Sequence, residues 1–166
     1  MVIDTMIDTY SKINISPLPD HKFIMSNDVY IFDKFIPKDY ITNGADVPRV
    51  FWSLIPPNDS LVLPAVIVHD FLCTIANMLF EITGEKEQTY EYADYVFINA
   101  LEHLKINKNR INIYKTVKLN TLAVRPISLR YKKPIILDGN RKLINNIISN
   151  NKGITLSHLL YGKFQN

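Results

Sequence analysis

Short apolar segments in the first third of the chain predict β-strands. Residues 23–25 and 29–32 are rich in β-branched and aromatic side chains, and the polar residues 26–28 between them favour a turn, so a hairpin is predicted. A third strand is predicted at residues 39–42, and Gly44 ends it because glycine disfavours a regular strand interior. The pattern indicates a small antiparallel sheet of about three strands.

The spacing of apolar residues changes to a helical period after Pro48, which is able to open a helix at its first turn. Residues 64–80 are almost continuously apolar and predict a buried central helix, for which the following glycine at position 84 is a suitable C-terminal cap. A second helix is predicted over about 88–104. Asn107 is the expected N-cap of a third helix, which the dipeptide at 125–126 ends.

The last forty residues differ from the rest, since they are rich in Asn, Lys and Ile and almost lack acidic side chains. Residues 142–148 and 155–164 are short amphipathic segments. They are interpreted either as two closing helices on the same core or as an extension that docks on a partner. The fold class predicted is α+β: a single domain over residues 1–126, with a three-helix unit after the sheet, followed by a basic C-terminal extension over 127–166.

The charges are divided unevenly along the 166 residues, although the totals of 19 basic and 16 acidic side chains nearly balance. Residues 1–105 carry 7 basic and 15 acidic side chains, whereas residues 106–166 carry 12 basic side chains and one acid, Asp138. The basic part either meets an acidic partner or neutralises the acidic part of the same chain. It lacks a rhythm of base-stacking aromatic residues, so nucleic-acid binding is the less favoured interpretation.

Composition restricts the class of protein further. A hydrophobic content of 47% argues against intrinsic disorder. Cys73 is the single cysteine, which excludes an intrachain disulfide and a multi-cysteine zinc site. We expect a protein made in the cytoplasm and without a membrane span, because no signal-peptide pattern opens the chain and no uninterrupted apolar run reaches about 18 residues.

The pair His69-Asp70 interrupts the most apolar helix and is the most informative polar feature. Adjacent side chains on a helix point about 100° apart, so these two must find partners on different sides. One interpretation is a core histidine and a paired aspartate with structural roles. The other is an acid–base or metal site, in which His69 reacts while Asp70 and Asp94 of the next helix orient it or complete the site.

Cys73 lies one helical turn after His69 and therefore on the same face. His69, Cys73 and Asp94 together would supply three ligands to a divalent metal such as zinc and leave one position open. The alternative is that Cys73 is an inert buried apolar residue.

The segment 42–48 combines residues that favour a tight strand-to-helix turn. Gly44 permits a positive φ, while Asn43 and Asp46 are able to bond their own backbone. In a functional interpretation, Asn43, Gly44 and Asp46 form the mouth of a pocket. Trp52 covers this pocket, and His69 lies at its base.

Three segments together resemble an uncharacterised family of phage and prophage proteins: IPKDYITNGADVPRVFWSLIPP, AVIVHDFLC and YEYADYVFINAL. That family typically shows a V-P-x-G-F-x-T-D-G-A-S-x-P box, a tryptophan with a double proline, an H-D-x-L-Y box and a later A-D-x-x-F. The resemblance covers about residues 23–125. The residues that fall on the pattern are Thr42, Gly44, Ala45, Pro48, Trp52, Pro56, Pro57, His69, Asp70, Leu72, Ala93, Asp94 and Phe97.

Three residues depart from this pattern: Asn43 replaces an Asp, Asp46 a Ser and Cys73 a Tyr. An amide is a poor substitute for a catalytic carboxylate, because it neither takes up a proton near neutral pH nor binds a cation strongly. The departures therefore argue against an active site that depends on a carboxylate at position 43.

Two functional hypotheses follow. The first is a phage-encoded accessory protein, virion- or tail-associated, that binds other phage proteins through residues 127–166 and occurs in the host cytoplasm and the virion. The second is a small hydrolase, metal-dependent or not, that uses His69, Asp70 and Asp94 on cell-wall or phosphoester substrates.

Overall fold

A computed structural model of the chain describes residues 13–20, 22–42, 60–84, 87–124 and 138–162, with the side chains of 87–89 and 117–124 excepted. The five strands in these ranges are β1 (Ile15–Leu18), β2 (Lys22–Met25), β3 (Val29–Ile31), β4 (Lys34–Ile36) and β5 (Ile41–Thr42). The helices are α1 (Leu63–Thr83), α2 (Glu87–His103), α3 (Lys108–Val124), α4 (Asp138–Asn150) and α5 (Leu156–Tyr161). The predicted α+β class is confirmed.

The strands form two antiparallel units. One is a three-stranded sheet in the order β1-β2-β5, and the other is the two-stranded hairpin β3-β4. The predicted hairpin between residues 23–25 and 29–32 is wrong, because β2 pairs with β1 and β5 instead. The β3-β4 hairpin turns at Phe32 and Asp33, whose φ angles of 49° and 61° belong to the tight turns that match strand twist. Glycine or asparagine usually marks such a turn, so the sequence did not reveal it.

Helix α1 is the central element of the core, as its apolar sequence predicts. Its inner face is fully buried, and the positive φ of 72° at Gly84 ends it with an N–H bond to the Phe80 carbonyl of 2.9 Å. By length and composition alone, this helix is apolar enough to cross a membrane. In the structure, 56% of its most apolar stretch is buried among the other described elements, as in the core helix of a folded domain. The absence of a membrane span stays a prediction.

Helices α2 and α3 follow where the sequence predicts them. The small residues Ala93 and Ala100 on the buried side of α2 allow close approach of neighbouring elements. The Asn107 side chain accepts the N–H of Asn109 at 2.8 Å, which confirms the predicted N-cap of α3. Ile111 and Tyr114, three residues apart on one face of α3, are buried.

Helices α4 and α5 pack into the same hydrophobic core as the strands and α1. Ile144 and Leu160 are fully buried in the same cluster as α1 and the strands. Thr155 caps α5 through a reciprocal capping box with His158. Of the two interpretations left open for the C-terminal segment, closing helices on the same core describe residues 138–162. Phe164 and residues 127–137 lie outside the described part of the chain.

Ion pairs connect the basic and acidic parts of the sequence. Both terminal nitrogens of Arg141 donate to the Glu81 carboxylate, at 2.7 and 3.0 Å, and Lys115 lies 3.8 Å from Glu102. The Glu81 carboxylate raises the pKa of Arg141 further by accepting these hydrogen bonds. Intrachain neutralisation therefore explains part of the charge division.

Asn140 of α4 completes the outer edge of the three-stranded sheet. Its side-chain oxygen accepts the Ile41 N–H at 2.8 Å, and its side-chain nitrogen donates to the Ile41 carbonyl at 2.8 Å. A buried amide thus satisfies both backbone groups of an edge residue, as a neighbouring strand would. This contact fixes α4 against β5.

We expect Asn140→Ala to lower the free energy of unfolding by about 1–3 kcal/mol, because it leaves two backbone groups of Ile41 without their partner. Urea unfolding followed by circular dichroism measures the change. The matched control is Asn145→Ala on the exposed side of the same helix, for which a change within about 0.5 kcal/mol is expected. Equal values for the two variants would contradict the edge-completing role.

Candidate functional site

His69 and Asp70 of α1 contact different neighbouring elements, as their separation of about 100° around the helix requires. Asp70 lies towards the sheet, where its Oδ2 accepts the hydroxyl of buried Thr42 at 2.5 Å. Thr42 is the last residue of β5 and immediately precedes Asn43 in the sequence. The bond therefore joins the first resembling segment directly to the second.

His69 points to the other side of α1 and meets helix α2. Its Nε2 lies 2.9 Å from Oδ1 of Asp94, and the two side chains are 25% and 27% exposed. The second and third resembling segments thus meet here, and the predicted neighbourhood of His69 and Asp94 is found. An ionised carboxylate only accepts hydrogen bonds, so Nε2 carries the proton in the neutral ring and Nδ1 is its basic nitrogen.

Cys73 lies against the edge of the same imidazole. Its Sγ is 3.6 Å from Nε2 and 4.0 Å from Nδ1 of His69. On the remaining side, the ring of Phe97 is 5.1 Å from the imidazole. His69, Cys73 and Asp94 are therefore neighbours, with the carboxylate directly hydrogen-bonded to the nitrogen that faces it.

This arrangement bears on the metal hypothesis. Within the described ranges, no group of three His, Cys, Asp or Glu side chains is placed to hold a metal ion. The Asp94 oxygen lies 2.9 Å from Nε2, which is a hydrogen-bond distance, whereas zinc at this nitrogen would need a bond of about 2.0–2.1 Å. The geometry at Nε2 is therefore that of a hydrogen bond between imidazole and carboxylate.

A tyrosine that the sequence interpretation missed extends the network below Asp70. The Thr74 hydroxyl donates to the Asp70 carbonyl at 2.9 Å, so the Tyr40 hydroxyl donates to Thr74 at 3.0 Å. Complete burial, aided by the negative charge of Asp70, raises the pKa of Tyr40 well above its usual value. Tyr40 lies in the strand predicted at residues 39–42, two residues before Thr42, and this alternation was the available signal.

Tyr90 shows the apolar character of the surroundings on the α2 side. Burial raises its pKa above the usual value, with smaller contributions from Cys73 and Glu81. The Tyr90 hydroxyl therefore lies where a negative charge is disfavoured.

The predicted pocket residues Asn43, Gly44, Asp46 and Trp52 lie outside the described residues, as does the helix predicted after Pro48. Two clefts found in the described part, of about 480 and 270 Å³, are lined by other residues than His69, Asp70, Cys73 and Asp94. Within the described residues, the candidate site therefore consists of His69, Asp70 and the side chains that they contact.

The fold and these contacts define a small α+β domain with a half-buried histidine–aspartate pair between its two central helices. Residues 21–117 match the model of the family described as "Protein of unknown function (DUF1353)". The match spans more than half of the chain, and the chain belongs to this family. The matched range includes all three resembling segments in full, at residues 36–57, 65–73 and 90–101.

Neither a curated protein nor a solved structure matches this chain. The prediction of an uncharacterised family is confirmed by the family match, and the phage origin stays a prediction.

We expect the stability of the protein to fall as the pH rises above about 10, and Tyr40 to cause part of the fall. The unfolded chain releases the tyrosine proton near pH 10, whereas the native state retains it. The contribution of Tyr40 to the free energy of unfolding is therefore fully present below pH 10 and decreases as the pH rises above it. Between pH 10 and 11 the wild type should lose about 1 kcal/mol more than Tyr40→Phe.

Urea unfolding at pH 8, 10 and 11 measures this difference. At pH 8, Tyr40→Phe should be less stable by about 1 kcal/mol, since the bond to Thr74 is lost. Tyr95→Phe, whose side chain is 64% exposed, is the control and should keep the wild-type pH dependence. Parallel curves for the wild type and Tyr40→Phe would show that Tyr40 does not contribute.

Proposed function

We propose that this domain is a small hydrolase in which His69 transfers protons and Asp94 orients and stabilises its imidazole. The observation that carries the proposal is the 2.9 Å contact between His69 Nε2 and Asp94 Oδ1, at a place that remains about a quarter exposed. A general acid–base needs this combination of a fixed ring and access from solvent.

The carboxylate supplies two effects. It holds the proton on Nε2 and so makes Nδ1 the nitrogen that accepts a proton from water or another nucleophile. It also stabilises the positive charge that the ring then acquires. Neither effect requires a metal ion.

Asp70 is assigned a positioning role. Its bond to Thr42 holds the end of β5, where the segment beginning with Asn43 starts. Because residue 43 is an amide in this chain, His69 is the candidate base, and the first segment would contribute to substrate binding. Cell-wall bonds and phosphoesters are the proposed substrate classes.

The test uses the full chain on two probes, dye-labelled peptidoglycan sacculi and bis(p-nitrophenyl) phosphate. His69→Gln should lower kcat/KM on the active probe by about 100-fold or more, because it removes proton transfer. Asp94→Asn should lower kcat and shift the pH profile, since an amide stabilises the imidazolium less. Circular dichroism establishes that both variants are folded.

His158→Gln is the matched control, since glutamine preserves the capping box with Thr155. It should leave the activity unchanged. An activity that survives in His69→Gln, or the absence of hydrolysis of both probes by the wild type, would contradict the proposal.

The second candidate is a phage-encoded accessory protein, virion- or tail-associated, that acts in the host cytoplasm and virion by binding other phage proteins. It is favoured by the departures at Asn43, Asp46 and Cys73, which replace residues of the phage family that the sequence resembles. Because α4 and α5 bury their apolar sides in the domain, partners would meet the outer, polar sides of these helices.

This candidate predicts that purified virions contain the chain in a fixed ratio to a tail protein. Quantitative mass spectrometry of density-purified particles, with the host ribosomal proteins as a contamination control, measures the ratio. A chain found only in the soluble lysate would contradict a virion-associated role.

A further inference from the structure

A groove of about 270 Å³ lies on the side of the domain where the β3-β4 turn, α2 and α5 meet. Neither His69 nor Asp94 lines it, so it is independent of the proposed hydrolase site. Its volume is just below the roughly 300–1,000 Å³ of pockets for drug-sized ligands. The residues that bear on its ligand are Phe32, Lys34, Tyr92, Asn99, His103 and Tyr161.

Lys34 gives the groove its chemical character. This lysine is only 7% exposed, and its ammonium donates to the Tyr92 hydroxyl at 2.8 Å and to the Leu160 carbonyl at 3.2 Å. An ammonium has three N–H donors, so these two contacts leave one. None of the ion pairs found among the described residues includes Lys34.

A buried cation without a counter-charge is costly, and hydrogen bonds to neutral oxygens compensate for it only in part. An anion that reaches the third donor would remove this imbalance. Asn99 and His103, one helical turn apart on α2, lie on the same wall and offer further polar contacts.

Aromatic rings form the rest of the groove. Tyr92 and Tyr161 meet edge to face with their centroids 4.8 Å apart, and Phe32 meets the imidazole of His103 at 6.3 Å. Flat rings held in this manner favour a flat apolar ligand body. Asp33 also lines the groove and repels negative charge. The Lys34 ammonium balances one negative charge on the ligand, so Asp33 disfavours a second one.

We propose that this groove is a binding site for a small aromatic carboxylate, with the carboxylate on the Lys34 ammonium and the ring against the aromatic walls. The volume of the groove, the buried Lys34 ammonium and the aromatic lining all favour a small aromatic carboxylate as the ligand. A phosphate monoester shares the anionic group but carries the extra charge that Asp33 opposes.

The experiment is a titration of the full ¹⁵N-labelled chain with benzoate at pH 7, followed by two-dimensional NMR. Saturable shifts are expected in the amides of residues 32–34, 99–103 and 161. Benzyl alcohol, which lacks the charge, should bind at least about 10-fold more weakly. Non-saturating shifts, or equal affinity for the alcohol, would overturn the proposal.

Phenyl phosphate separates the two anionic classes. It should bind more weakly than benzoate, and tighter binding would overturn the choice of a monoanionic carboxylate.

Variants then test the role of the lysine. Lys34→Met should weaken benzoate binding by about 10-fold or more, whereas Lys142→Met at an exposed position of α4 should leave it unchanged. Unchanged affinity in a folded Lys34→Met protein would overturn the assignment. Since Lys34 also supports α5, His103→Ala and Tyr161→Ala provide a second measurement. Each should weaken binding at least about 3-fold, and wild-type affinity in both would equally overturn the site.

Discussion

The burial of helix α1 is the constraint on which the rest of the structure depends. A helix that is apolar on almost every side contributes most to the core, but it also carries His69 and Asp70 into low-dielectric surroundings. A polar group left there without a partner would cost several kcal/mol. Asp70 therefore holds Thr42 of the sheet, and His69 holds Asp94 of α2. The same bonds that satisfy the helix connect it to strand β5 on one side and to α2 on the other.

The C-terminal helices belong to the same physical unit. They are joined to it by apolar burial and by three polar contacts of different kinds: Asn140 on the edge of β5, Arg141 on Glu81, and Lys34 on the Leu160 carbonyl. A cation near the last carbonyls of a helix is favourable because the helix dipole is negative there. Of these contacts, the ion pair between Arg141 and Glu81 neutralises part of the charge difference between the basic and acidic parts of the chain.

The sequence predictions are accurate where an element depends on interactions between residues close in the sequence, and they fail where it depends on distant ones. The helices could be located because Gly84 and Asn107 act within one turn of the ends that they cap. Asp94 could be linked to His69 because it is an acid on the inward side of the next helix. The strand pairing could not be predicted, because the turn begins with Phe32, an aromatic residue that rarely adopts a positive φ. Lys34 and Asn140 gave no local signal, since their partners lie far away in the sequence.

By itself, the sequence determined the α+β class, the limits of the central helices, the family and the conflict of a His-Asp pair inside an apolar helix. These depend on periodicity, capping and residue type, which act over a few neighbouring residues. Only the tertiary structure decided which partners resolve that conflict, that residues 138–162 close their own domain, and that a buried lysine lines an aromatic groove. The reason is physical: a side chain's charge and hydrogen-bonding needs are local properties, but the groups that meet them are placed by the packing of the whole chain.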